Sequence, residues 1–300
     1  MTKYHESVLL NDSIKGLKIK PEGIYVDVTF GGGGHSKEIL KKLTTGSLIA
    51  FDQDQDSLIN NIKGDNRFIM INSNFRHIKS KLQQIGVFMV DGIIADLGVS
   101  AHHFSNNGRG FSLKYDSIID MRMDKKLKKD ARYILNKYNQ HNLDRIFREH
   151  ADFNNPKSIT SAIIKARKIQ EITTTFDFKK IFHSIVNKQN ENKFFARLFQ
   201  AIRIEVNDEL NALKELLVQS KEILSPSGRL VVIAYHSLED VLVKRFMRFG
   251  HFLNFQEKDF FGNTKPIFKL ITKKPITPSE IELTNNTKSR SAKLRICEKI

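Results

Sequence analysis

Asp27-Val28-Thr29-Phe30-Gly31-Gly32-Gly33-Gly34-His35-Ser36 decides how this chain folds. A short apolar run, Ile24–Thr29, leads into it, and helical spacing over Ser36–Leu43 follows. Four consecutive glycines let the backbone turn sharply and let a ligand approach main-chain N–H groups closely. Ser36 stands where a helix N-cap is expected. A plain flexible turn is the alternative, but glycines placed between a strand and a helix favour a ligand loop.

Working outward, Leu48–Asp52, Phe68–Asn72 and Gly92–Asp96 read as further buried strands, with helical stretches at Ser57–Ile62 and Phe75–Ile85. Strand alternating with helix implies a parallel sheet with right-handed crossovers. Ligands bind such sheets outside the carboxyl ends of the strands. Beyond residue 105 the rhythm changes. Gly108-Arg109-Gly110 opens a polar loop, and helical periodicity rich in Lys, Asn and Arg runs from Lys128 to Lys188. A long helix is expected from Phe194 to Ile223, stopped by Ser225-Pro226-Ser227-Gly228. The sheet pattern resumes with Arg229–Tyr235, a helix over Leu238–Phe249, and a closing antiparallel pair at Ile267–Thr272 and Lys293–Cys297. The expected fold is α/β, a Rossmann-like sheet formed by residues 1–107 and 200–300 with an inserted helical domain at 108–199.

Two ligand classes suit the glycine loop. A dinucleotide would use G-x-G-x-x-G, which the chain meets only with Ser36 in the third position. Asp52, ending the second strand, can bind ribose hydroxyls in either class, each charge-assisted bond contributing roughly 1.5–3 kcal/mol. Asp27 discriminates. An acid just before the glycines repels a pyrophosphate but favours the cationic amino-acid end of S-adenosylmethionine. That donor is preferred, with NAD as the rival. Asp96, ending the fourth strand, should project beside the loop, whereas Asp91 reads as a solvated turn residue.

Charge supplies an independent constraint: 49 Lys and Arg against 33 Asp and Glu give a net +16 and a pI near 9.7. Such a field attracts polyanions, nucleic acid among them. The N-terminal ten residues carry Lys3, His5 and Glu6, arguing against a secretory signal, and no long apolar run suggests a membrane span. A single cysteine, Cys297, allows no intrachain disulfide and fits a cytoplasmic setting. It also disfavours chemistry at pyrimidine C5, which calls for a thiolate nucleophile. The histidines are scattered without metal-ligand spacing, so no metal is expected.

Further blocks carry a resemblance. These are Arg109-Gly110-Phe111-Ser112, Asp120-Met121-Arg122-Met123-Asp124, Phe199–Ile204 with Val206–Leu210, His236-Ser237-Leu238-Glu239-Asp240, and Ser289–Arg295. In their order and spacing the chain resembles the bacterial MraW/RsmH methyltransferases along nearly its whole length. The resemblance implies a class I methyltransferase sheet, S-adenosyl-L-methionine as methyl donor, and methylation of the exocyclic N4 of a cytidine in 16S ribosomal RNA. It places cofactor contacts on Gly33, Gly34, His35, Asp52, Phe75, Asp96 and His103, the last where the family often has Gln. Thr287 and Lys288 depart from the usual Pro and Arg, and Lys keeps the charge without the bidentate fork.

The Pro-Pro-aromatic device of many amino-methyltransferases is absent, since the edge reads Asp96-Leu97-Gly98-Val99. Candidate catalytic residues are Asp96, Asn207 and His236, and a satisfied polar cap is an equal reading for His236. Asp120 and Asp124 flank Arg122 as a structural ion-pair network. Candidate RNA contacts are Arg109, Lys125, Lys126, Lys128 and Lys129 in the insert, then Lys288, Arg290, Lys293 and Arg295. The partner is naked 16S RNA or the small ribosomal subunit, with monomer and homodimer both open. A non-catalytic RNA-binding assembly factor is the remaining rival.

Overall fold

The structure, a computed structural model, describes residues 7–99, 108–183, 185–255 and 265–300. Its two compact units are Met1–Gly98 with Leu210–Ile300, and Val99–Glu209.

In the first unit, α1 (Leu10–Leu17) precedes β1 (Ile24–Asp27), α2 (Gly34–Leu40), β2 (Ser47–Asp52), β3 (Phe68–Asn72), α3 (Ile78–Gln84) and β4 (Val90–Asp96). The second unit contributes α4 (Ala131–Lys137), α5 (Gln140–Glu149), α6 (Lys157–Ile169), α7 (Thr175–Lys180) and α8 (Glu191–Asn207). Then come α9 (Glu209–Ile223), β5 (Leu224–Ala234), α10 (Ser237–Phe249), β6 (Phe268–Leu270), α11 (Glu280–Asn285) and β7 (Lys293–Lys299). Strand order is β3-β2-β1-β4-β5-β7-β6, and β7 alone in this sheet runs antiparallel to its neighbours. The order reverses between β1 and β4, which creates the crevice where such sheets take ligands.

The central strands are apolar without alternation because helices cover both faces. Val26, Ile49, Ile93 and Leu230 share one cluster with Ile78 and Leu82 of α3, Leu216 of α9 and Phe246 of α10. Their neighbours Tyr25, Leu48, Ile94 and Val231 point the other way, against Leu17 of α1 and Ile39 of α2. Burial on both sides fixes the register, since a one-residue slip would exchange the two cores.

Several local expectations are corrected. Ser57–Ile62 is a 3-10 segment at Gln55–Asn60, and Phe75–His77 is a 3-10 turn ahead of α3. The long helix is two helices, α8 and α9, broken at Asp208, whose φ is 51°. Aspartate tolerates this left-handed conformation better than most residues, and Arg203 bridges the break with bonds of 2.8 and 2.9 Å to the Glu209 carboxylate. The second helix ends at Ile223 as expected, but Ser225–Gly228 just beyond it is no free turn: it forms a bulge inside β5. Val90 pairs with Leu224 and Gly92 already pairs with Arg229, so the turn-forming residues loop out opposite Asp91 alone.

The helical unit has its own core, built from Phe147, Ile163, Phe178, Phe182, Leu198 and Ile202, among others. Edge-on aromatic pairs run through it, with Phe182 5.4 Å from Phe178 and 6.0 Å from Phe195. Helix starts are capped as the sequence allows: Asp130 receives the Tyr133 N–H, Asn139 the Asn142 N–H, and Thr174 forms a capping box with Asp177. The insert core draws on Phe195 to Val206, so the unit ends at Glu209 rather than residue 199 and starts at Val99 rather than 108.

Candidate active site

Three adjacent strands, β2, β1 and β4, each end in an aspartate: Asp52, Asp27 and Asp96. The glycine loop rises between them. Gly31 and Gly33 take positive φ of 51° and 74°, and the Gly33 N–H closes a tight turn onto the Phe30 carbonyl at 2.7 Å. A Cβ on Gly33 would come within 2.9 Å of the Phe30 ring, and one on Gly34 within 1.9 Å of Ser7 Oγ. The backbone here is packed as well as bent, and only glycine satisfies both conditions.

The aspartates divide the work. Asp27 is buried at 2% exposure; its Oδ1 accepts from the Thr29 N–H at 3.1 Å and its Oδ2 from the Ser36 hydroxyl at 2.7 Å. Gly33, not Ser36, is therefore the N-cap of α2. Ser36 lies one turn further in because its hydroxyl is claimed by Asp27. Burial drives the Asp27 carboxyl up to about 6, against the pull of Ser36 and Thr29, and the negative charge of Asp52 adds to the rise. Asp52 accepts the Gly31 N–H on Oδ2 and the Asp54 N–H on Oδ1, both at 2.8 Å. Asn60 holds the other side of Gly31 through its carbonyl at 3.0 Å.

Asp96 closes β4. Its backbone N–H donates to Thr29 Oγ1 at 2.6 Å, and its Oδ1 accepts from the Tyr235 hydroxyl at 2.7 Å. Its side chain is 22% exposed. Burial raises its carboxyl to about 7; the Tyr235 bond opposes this, and Asp27, Glu239 and Glu282 reinforce it. His35 Nδ1 lies 4.0 Å from Asp96 Oδ2. The imidazole offers no compensating charge, because burial lowers it to about 4. Its Nε2 sits 3.2 Å from the Val8 carbonyl. A cationic ligand is what this concentration of acid favours.

Phe75 opens its 3-10 turn after β3, with Asn74 as cap, and packs half-buried against the α3 face of the core. Its ring therefore combines the core role with a place at the carboxyl edge. Asp91 is no solvated turn residue: it accepts the Ile24 N–H at 3.0 Å and the Lys20 ammonium at 2.9 Å, tying β4 to the start of β1. His103 lies outside the described residues.

Tyr235 and Thr29 escaped the sequence reading. Tyr235 ends an apolar run and looks like one more core aromatic; its position directly after the strand that neighbours β4 is the signal that could have singled it out. Next to it, His236 caps α10. Its Nδ1 accepts the Glu239 N–H at 3.4 Å, while Glu239 accepts the Tyr235 N–H at 2.9 Å. The ring Nε2 is 3.1 Å from Glu239 Oε1 but not aligned for a hydrogen bond, and it has no other partner among the described residues. The cap reading holds for one ring nitrogen, and the other is buried beside the Glu239 carboxylate.

Asn207 is corrected. Its Oδ1 accepts the Met123 N–H at 2.7 Å, and its Nδ2 donates to the Met121 and Arg203 carbonyls at 2.8 and 2.9 Å. Both amide hydrogens are spent on backbone, so Asn207 is a clamp on the 121–123 turn and has no donor for a substrate. Met121, at φ 61°, is the strained residue this clamp holds. Arg109 and Arg295 are corrected as RNA contacts. Arg109 is buried, donating to the Arg122 and Met123 carbonyls at 2.7 and 2.9 Å. Arg295 forks onto Asp240 at 2.6 and 3.1 Å, with Lys293 at 3.5 Å from the same carboxylate. Arg122 binds Asp120 bidentately, as the ion-pair reading expects. Lys125, Lys126, Lys128, Lys129, Lys288 and Arg290 are exposed.

With this geometry in place, comparison with known proteins decides the family. The profile described as the MraW methylase family matches residues 2–300. The chain belongs to the MraW methylase family. A relative from Flavobacterium johnsoniae, named ribosomal RNA small subunit methyltransferase H, is 50% identical over 299 residues, covering 99% of this chain and 98% of the relative. A protein of the same name from Phocaeicola vulgatus is 48% identical over 297 residues, covering 99% of this chain and 97% of its own. No helix among the described residues is long and apolar enough to cross a membrane.

Proposed function

We propose that this MraW-family chain transfers a methyl group from S-adenosylmethionine to the exocyclic N4 of a cytidine in 16S ribosomal RNA, in the cytoplasm. The names of its relatives support the ribosomal RNA substrate, and the choice of N4 follows the family resemblance. The observation that carries the donor is the set of three strand-end carboxylates around a glycine turn, two of them raised by burial and mutual repulsion and none neutralised by His35. A sulfonium and an ammonium relieve that repulsion; a pyrophosphate would add to it. The NAD alternative fails on this ground.

Gly33, Gly34 and His35 would hold the donor from the loop, Asp52 its ribose, and Phe75 its adenine, with His103 a further proposed contact. When bound, the donor supplies a methyl group already activated by sulfur. The protein's part is to orient the cytosine amino group and to accept a proton. The nitrogen lone pair forms the new N–C bond, the C–S bonding pair stays with sulfur, and one amino proton must leave. Asp96 is the proposed acceptor, since Tyr235 engages Oδ1 and leaves Oδ2 towards His35. Drawing an N–H towards this oxygen pulls the nitrogen lone pair out of ring conjugation. His236, next to Tyr235 at the head of α10, is the proposed contact for the base. Alignment of this kind lowers such barriers by roughly 7–11 kcal/mol in favourable cases.

Nucleoside mass spectrometry of small-subunit RNA provides the test. Cells lacking the gene should lose N4-methylcytidine, and purified protein with labelled donor should restore it. An unchanged nucleoside profile would sink the proposal.

A further inference from the structure

Tyr133 is an exposed aromatic that the insert has gone to some length to hold still. It occupies the first turn of α4, where its N–H is taken by Asp130 at 2.8 Å. The adjacent Ile134 and Leu135 are buried, yet Tyr133 is 42% exposed. An isolated exposed ring needs no explanation, but this one has supports. Tyr138 meets it edge to face at 6.2 Å and 87°. Tyr138 is itself anchored, its hydroxyl 3.2 Å from Glu205, which is gripped by Arg145 at 2.7 Å. Lys129 Nζ stands 5.3 Å from the Tyr133 centroid and 5.9 Å from that of Tyr138.

The surroundings are cationic. Lys125, Lys126, Lys128 and Lys129 are exposed in the five residues just before the helix cap. Across residues 99–209 the sequence holds 21 Lys and Arg against 13 Asp and Glu, so this unit carries half of the net +16. A rigid aromatic face beside a row of ammonium groups matches the chemistry of a single-stranded polynucleotide: stacking for a base, point charges for its phosphates. An acidic protein segment would find the charges but would have no flat π-face to lay on the ring.

We infer that Tyr133, backed by Tyr138 and Lys129, is a stacking platform for an unpaired nucleotide of the RNA substrate, separate from the base that is methylated. The inference rests on the RNA-methylating reading above. Tyr133 reads no sequence, because every base has a π-face; it fixes where the single strand lies on the insert.

The chain has no tryptophan and six tyrosines, so emission comes from tyrosine alone, and the quenching lost in Tyr133→Phe is the part that Tyr133 contributes. The full-length protein is titrated with a short oligocytidylate over a range of salt concentrations. Wild type should bind with quenching of emission. Tyr133→Ala should weaken binding roughly ten-fold, in line with one lost base stack of 1–3 kcal/mol, at unchanged salt slope. Tyr133→Phe should bind like wild type. Lys129→Ala should flatten the salt slope by about 0.7, the signature of one phosphate contact on a single strand. Tyr133→Ala and Lys129→Ala should raise KM for small-subunit RNA while leaving donor affinity unchanged, and Tyr133→Phe should leave both as in wild type.

Wild-type-like RNA affinity and KM in Tyr133→Ala would overturn the platform. So would an equal loss in Tyr133→Phe, which keeps the ring and removes only the hydroxyl. A failure of the methylation reading looks different: the wild type itself would transfer no methyl group to the RNA.

Discussion

Asp96 sits among acids with one strong donor, the Tyr235 hydroxyl, holding its charge in place. As the proposed proton acceptor it must be ionised, so kcat/KM, which reports the free enzyme, should rise with pH through about 7 and then level off. Tyr235→Phe removes the bond that opposes burial, and the midpoint of the profile should move to higher pH. A midpoint that stays put or falls would exclude Tyr235 as the positioning group. Donor binding is coupled in the same direction: a cation lowers both raised carboxyls, so binding near pH 6–7 should release protons, with affinity increasing as pH rises. Calorimetry in buffers of different ionisation enthalpy measures that release. Asn207 makes a contrasting prediction. Asn207→Ala strands the Met123 N–H and two carbonyls, at a cost of about 3 kcal/mol. The melting temperature should fall while affinity for the donor is kept.

At the level of the element, the glycine loop carries the firmest steric prediction. Gly33→Ala puts a Cβ 2.9 Å from the Phe30 ring at a φ of 74°, and the strain of about 1–3 kcal/mol should weaken donor binding by roughly ten-fold or more, as read by calorimetric titration. The strands and the loop were legible in the sequence because burial on both faces writes itself as continuous apolar runs, and because four glycines have few other uses. Asp52 and Asp96 were legible by position at strand ends. What stayed hidden has a common physical character. The bulge at Ser225–Gly228 and the buried fork of Arg295 on Asp240 depend on partners distant in sequence. Ser36 looked like a cap because a hydroxyl at a helix start usually is one; the Asp27 carboxylate outcompeted the backbone for it. The basic residues misled for the same reason. Charge is visible in a sequence, but whether an arginine meets solvent or two carbonyls, as Arg109 does, is decided by packing.

For the molecule as a whole, an insert core that shares no residue with the two cores of the sheet unit predicts separable stability. Phe182→Ala empties the aromatic centre of the insert and should cost it about 3–5 kcal/mol. Hydrogen exchange should show lost protection over α4 to α8 with protection retained across β1, β2 and β4. Uniform loss everywhere would mean that the two units melt as one. The charge distribution adds an expectation of its own: affinity for RNA should fall steeply with salt, while affinity for the donor, set by short-range contacts in the sheet unit, should change little.

The place at which the insert interrupts the sheet carries a temporal consequence. β4 and β5 are partners, yet about 130 residues of chain lie between them. Were that stretch still a random coil when the strands meet, it would impose the entropy of closing a very large ring. A unit that collapses early on its own aromatic centre shortens the ring to its remaining slack, a saving on the order of 1 kcal/mol. Refolding should therefore be sequential, with the helical segment organised first and the β4–β5 seam last; a variant such as Phe182→Ala should delay closure of that seam without touching a residue in it.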